Sequence, residues 1–198
     1  MGAFLLAMIL TADPAISRLQ PFTDTPWSRD VLQYDDGTAF WLTWGGLYRG
    51  VWFSAGDFCP GASGFSIGSI EFWFYNTSEP VPFVARLVEG YFDGAVLDEE
   101  TLMSSQGTWT FDPPIQVGPM WSVTIDAAGS GDQLSLLGDN TPNAEFGSHS
   151  FFSDDYAIWE PWTIQGPEAN DYFIRVYGDP VLGLQESTWG ALKSLFWR

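Results

Sequence analysis

Carboxylates dominate the chemistry that this sequence could offer. They stand in adjacent groups at Asp35-Asp36, Asp98-Glu99-Glu100 and Asp154-Asp155. Glycoside hydrolysis uses two carboxyl groups facing each other across a cleft. Adjacency along the chain does not create that geometry, and with 25 Asp and Glu in 198 residues adjacent pairs arise by chance. The Asp35-Asp36-Gly37-Thr38 step reads first as a turn, in which Asp side chains cap backbone amides and Gly supplies a positive φ. A thiol nucleophile would need a basic partner. The chain has one cysteine, Cys59, and one histidine, His149, the latter set among Ser148, Ser150 and two phenylalanines. Cys59 reads as a small packed residue, and no enzymatic activity is expected.

Calcium is the sharper use of some of these acids, because hard cations take oxygen ligands from carboxylates, amides and loop carbonyls. Oxygen-rich loops occur at Gly129-Ser130-Gly131-Asp132 and at Gly138-Asp139-Asn140-Thr141. Neither follows the EF-hand order. A structural Ca2+ is expected at Asp132, at Asp139 and Asn140, or at Asp35 and Asp36.

Aromatic residues offer a second chemistry. There are 11 Trp and 16 Phe, and flat rings can stack on sugar faces. Trp41, Trp44, Trp159 and Trp162 fall near strand ends or loops, where they form either a sugar platform or core and edge packing. Asn76-Thr77-Ser78 is an N-x-S/T sequon and so a glycosylation position, Asn76 being the acceptor.

The elements that must position these groups are strands. The 21 Gly and 13 Pro break the chain into short runs rich in β-branched and aromatic residues. Strands are predicted over 39–44, 47–53, 64–75, 82–88, 107–111, 120–125, 133–137, 148–152 and 172–177. Alternation of apolar with small or polar residues in Phe65–Phe74 and Trp121–Ile125 marks strands with one buried face. The expected fold is all-β: an antiparallel, jelly-roll-like β-sandwich over residues 27–180. An apolar N-terminal arm, residues 1–26, would precede it. A short C-terminal helix or docking tail, residues 181–198, would follow.

Charge excludes several partners. Seven Lys and Arg against 25 Asp and Glu give a net charge of −18. From Leu87 to Tyr172 there is no Lys or Arg and there are fifteen acids. Phosphate neutralisation needs a basic surface, so nucleic acid is not expected as a partner. Anionic lipid is disfavoured for the same reason. No apolar run approaches the roughly 18 residues of a membrane span.

Both ends carry apolar residues. Ala3, Phe4, Leu5, Leu6, Met8, Ile9 and Leu10 form a run with no preceding Lys or Arg; the first positive charge is Arg18. The run is either the h-region of a secretory signal or a retained arm. As a donated strand it would span roughly 26 Å. Near the other end Trp189, Leu192 and Phe196 fall on one face of a short helix that Ser187 or Thr188 can cap.

The order of several short motifs resembles a family. Tyr34-Asp35-Asp36-Gly37-Thr38-Ala39 is similar to the opening of a secreted YDDGT-type β-sandwich module found in large exported proteins of environmental bacteria. Arg49-Gly50-Val51-Trp52-Phe53 stands where that module has a strand ending in an R-F-like pair. Gly68-Ser69-Ile70-Glu71-Phe72-Trp73 matches its next strand. Gly147-Ser148-His149-Ser150-Phe151-Phe152-Ser153-Asp154-Asp155, with Trp159 and Trp162, resembles its late G-x-S-Y-Y-S-x-D signature. Asp171-Tyr172-Phe173-Ile174-Arg175 resembles its closing strand, and Thr188-Trp189-Gly190-Ala191-Leu192-Lys193-Ser194-Leu195 a TWGxxKxL-type tail. The likeness spans about residues 30–180. It implies a jelly-roll-like accessory module without catalytic residues; the apolar arm is a departure from the pattern.

These observations lead to two functional expectations. The first is an extracellular or cell-surface structural protein that assembles with copies of itself, as a filament or surface-layer subunit. It would use the arm and the tail, as in donor-strand complementation. The second is a secreted carbohydrate-binding or adhesion module, with glycans as partners.

Overall fold

A computed structural model describes residues 30–39, 41–43, 47–75, 79–126, 134–139, 149–162 and 171–182. Strands dominate, and helix is nearly absent. In chain order the strands are β1 (Asp30–Leu32), β2 (Trp41–Thr43), β3 (Tyr48–Ser54), β4 (Ala62–Phe72), β5 (Pro82–Glu89), β6 (Val96–Met103), β7 (Thr108–Val117), β8 (Met120–Asp126), β9 (Leu136–Gly138), β10 (Ser150–Ser153), β11 (Glu160–Pro161) and β12 (Ile174–Leu182). One helical turn, α1 (Ala55–Phe58), follows β3.

Two antiparallel sheets make the sandwich. One is four-stranded, in the order β1-β12-β4-β7; the other is six-stranded, in the order β11-β10-β3-β8-β5-β6. The chain passes from sheet to sheet: β3 lies in the second, β4 in the first, the β5–β6 hairpin in the second, β7 in the first, β8 in the second and β12 in the first. That is the jelly-roll arrangement, with β10 and β11 added beside β3. A small third sheet pairs β2 with β9.

Side-chain alternation puts the core between the two sheets. Val51 and Phe53 of β3, Trp121, Val123 and Ile125 of β8, and Phe83, Ala85 and Leu87 of β5 face inward. Leu32, Phe65, Ile67, Ile70, Phe72, Trp109, Ile174 and Val176 meet them from the four-stranded sheet. Ile67 and Ile70 are both buried although three positions apart, because register shifts in the pairing with β7 and β12 fall between Ile67 and Ser69. This bulge interrupts the period-two pattern.

Several elements differ from the sequence expectation. β12 runs on to Leu182, past the expected end at Tyr177 and into the first two residues of the expected tail. β6 is a full strand, hidden in the sequence by its Asp98-Glu99-Glu100 run. Charge on an edge strand blocks pairing with another molecule. β7 runs on through Asp112-Pro113-Pro114 to Val117, which an edge strand tolerates because its outer amides need no partner. β1 and β11 are only three and two residues long, too short for periodicity to show. The expected C-terminal helix falls outside the described residues.

Candidate functional site

Side-chain hydrogen bonds are concentrated at the Tyr34–Thr38 turn. Tyr34 is buried and stacks on the His149 ring at 3.7 Å and 22°. Its hydroxyl donates to Asp57 Oδ2 at 2.8 Å and accepts from the Ser54 amide at 3.2 Å. Burial is the main reason its phenol titrates far above the ordinary range. Trp52 covers the other side of this group, stacked on His149 at 4.8 Å. His149 Nδ1 lies 2.7 Å from the Trp52 carbonyl, which can only accept, so this nitrogen carries the proton. The single histidine is thus held as a packed ring between two others.

Asp35 follows. Its Oδ2 accepts from Arg175 Nε at 3.0 Å and its Oδ1 from Arg175 Nη2 at 2.5 Å. Oδ1 also accepts from the Gly37 amide at 3.0 Å. Gly37 has φ +81°, the conformation for which this Asx turn needs glycine. Arg175 in turn lies over the rings of Trp73 and Phe173, at 4.7 and 5.2 Å.

Asp139, from the end of β9, completes the corner. Its Oδ2 accepts from the Asp36 amide at 3.0 Å and its Oδ1 from the Asp171 amide at 2.9 Å. Asp171 accepts from Ser150 Oγ at 3.0 Å, and that hydroxyl accepts from the Tyr172 amide. Burial pushes the Asp139 carboxyl up to about 6, against the pull of the two amides and with help from the charges of Asp36 and Asp35. The aspartates tie the opening turn to β9 and β12.

This arrangement bears on the expected metal ligands. Asp35 and Asp139 direct their oxygens to Arg175 and to backbone amides of the protein itself. Asp36 is exposed, and its Oδ1 accepts from the Thr38 amide at 2.7 Å. Among the described residues no group of three or more His, Cys, Asp or Glu is placed to hold a metal ion. Asp132 and Asn140 lie outside the described residues.

The aromatic expectations divide. Trp162 is 7% exposed and stacks on Tyr172 at 4.4 Å. A side chain at Gly138 would collide with its ring. Trp162 is a core residue rather than a platform. Trp159 is half-buried on the outer side of the six-stranded sheet. It lies flat on Phe92, with centroids 4.1 Å apart and planes at 19°. Phe92 is fully buried in the loop between β5 and β6 and rests over Gly50, where a Cβ would sit 2.6 Å from its ring. Trp41 enters through its backbone alone, opposite Gly138. Trp44, Asn76, the arm residues 3–10, and Trp189, Leu192 and Phe196 lie outside the described residues.

The sheet edges also differ from one another. β6 carries Asp98, Glu99 and Glu100, β7 carries Asp112-Pro113-Pro114, and β11 is Glu160-Pro161. The edge made by β1 and the end of β12 shows Val31, Val181 and Leu182, at 42%, 36% and 67% exposure, with Asp179-Pro180 in the same stretch; β6 also exposes Val96, Leu97 and Met103. β1 pairs antiparallel with Val176–Gly178 only, so among the described residues Asp179–Leu182 have β4 alone as a neighbour. The start of β1 and the end of β12 therefore lie toward the same end of the four-stranded sheet, with Asp30 opposite Gly178 and Leu182 four residues beyond it.

Comparison with known protein families, with curated proteins and with solved structures finds no match for this chain.

Proposed function

We propose that the protein is an extracellular, non-catalytic jelly-roll subunit that joins copies of itself. In this reading the apolar arm, residues 3–10, adds to the β1/β12 edge of a neighbouring copy, and the C-terminal tail, through Trp189, Leu192 and Phe196, reinforces the same junction. What supports it is an exposed apolar pair on an open stretch of sheet edge: among the described residues Val181 and Leu182 have β4 alone as a strand neighbour. Asp179-Pro180 interrupts this edge, as acids and prolines interrupt β6, β7 and β11. The start of β1 and the end of β12 lie toward the same end of this sheet. Pro180 has no amide proton to give, so any added ladder is short. The affinity must come mainly from apolar side chains, at about 1.5–3 kcal/mol for each large one fully buried.

Electron microscopy of the full chain and of a chain lacking Gly2–Leu10 tests the reading. Polymers are expected from the first and single particles from the second. Identical particles from both would overturn it.

A further inference from the structure

We propose that the outer aromatic face of the six-stranded sheet, centred on Trp159, binds an uncharged polysaccharide. This site is on a different surface from the β1/β12 edge and does not depend on assembly. The stack is built in layers: Gly50 leaves a notch in the sheet, Phe92 fills it, and the Trp159 indole lies over Phe92. One face of the indole is thereby backed by protein, and the residue keeps part of its surface in solvent. Its orientation is fixed. Nε1 donates to the Tyr156 carbonyl at 3.2 Å, and the Tyr156 ring meets it edge-on at 5.3 Å. Tyr156 itself sits at φ +65°, a conformation that is costly for a bulky side chain. Asp155 holds the loop there by accepting from the Ala157 and Ile158 amides at 2.8 and 3.0 Å.

Further rings continue the surface. Phe92 touches Phe151, Phe151 touches Tyr91, and Tyr91 touches Trp52, at 5.4, 5.6 and 6.4 Å between centroids. Tyr91 is 40% exposed. These rings are steeply inclined to one another, at 59°, 85° and 66°, and Phe92 is buried, so Trp159 and Tyr91 meet a ligand as two separate rings. The C–H faces of pyranose units carry the partial positive charge that a π face attracts. Charge selects among ligands. Exposed carboxylates adjoin the ring residues in the chain, Asp93 next to Phe92 and Glu160 next to Trp159, and the Asp93 charge acts on Tyr91. Arg86, the cation found on this face among the described residues, already bonds Glu99 and lies over Tyr156. Phosphates and uronic acids are therefore repelled, whereas sugar hydroxyls can donate to the carboxylates.

Affinity electrophoresis of the full chain tests this, in native gels containing laminarin, mixed-linkage β-glucan, galactomannan or alginate. At least one neutral polysaccharide should retard the protein. Trp159→Ala should weaken that retardation about tenfold or more, and Trp159→Phe less. Tyr91→Ala, at an exposed ring, should weaken it without unfolding, which keeps the test decisive if Trp159→Ala misfolds. Absence of retardation by every neutral polymer, unchanged retardation in both alanine variants, or stronger retardation by alginate would overturn the proposal.

Discussion

Arg175 closes a two-pronged ion pair on Asp35 from 140 positions further along the chain. It thereby anchors the opening turn to the last strand. Side-chain exposure is 13% for the arginine and zero for the aspartate. Removing one partner strands the other charge in a dry place, which costs about 3–5 kcal/mol. Urea unfolding should show a loss of that size for Asp35→Ala. A double variant, Asp35→Leu with Arg175→Met, should lose less than the sum of the single changes. Simple additivity would show that the pair does not act as a unit.

Asp139 makes stability depend on pH in a definite direction. Its carboxyl titrates at about 6 in the folded chain and near 3.9 when unfolded. Between those values the native state holds more of the proton, so this group's contribution falls as pH rises from about 4 to about 6 and is level above that. Comparison of Asp139→Asn with the parent by thermal unfolding should show this slope removed. A carboxyl signal in the parent that titrates below pH 4.5 by NMR would contradict the assignment.

Gly50 keeps open the notch beneath Phe92. A Cβ there would meet the Phe92 ring at 2.6 Å and Thr124 Cγ2 at 3.1 Å. Gly50→Ala should cost about 1–3 kcal/mol through overpacking. It should also weaken polysaccharide retention, although Gly50 lies beneath the proposed surface rather than on it. Unchanged stability and retention together would show that Phe92 and Trp159 can shift freely.

The acidic edge of β6 gives a prediction about aggregation. Glu100 pairs in register with Ala85, so it stands on the side of the sheet that faces the core, yet it is exposed. Inward-pointing charge on an edge strand prevents stacking of sheets edge to edge. Glu100→Val should therefore increase light scattering at high protein concentration, with little change in the unfolding midpoint.

Much of the sandwich was legible from periodicity and punctuation. Phe65–Phe74 and Trp121–Ile125 alternate, and strands β4, which ends at Phe72, and β8 lie there. On β8 the expectation of one wet face fails: Ser122 and Thr124 are buried too, the Ser122 hydroxyl bonding the Gly90 carbonyl and Thr124 lying beside Tyr156. β6 was not legible, since its acids resemble a solvated loop and its partner β5 supplies the apolar surface. β7 outran expectation because prolines end central strands but not edge strands. The turn at Asp35–Thr38 was visible from Asp and Gly. Its partners were not, because Arg175 and Asp139 are brought to it only by the sheet topology. Trp162 and Trp159 looked alike in sequence. The packing that separates them rests on Gly138 and Gly50, and a glycine inside an aromatic strand such as Tyr48–Ser54 was the available sign of a close approach.

The assembly proposal turns on the β1/β12 edge, and sedimentation velocity of the full chain beside Leu182→Asp and Val31→Asp tests it most directly. Both side chains point into solvent and neither belongs to the core, so folding should be preserved. The expected result is concentration-dependent large species for the parent and a single slow boundary for each variant. Equal sedimentation of all three chains would contradict a junction at this edge.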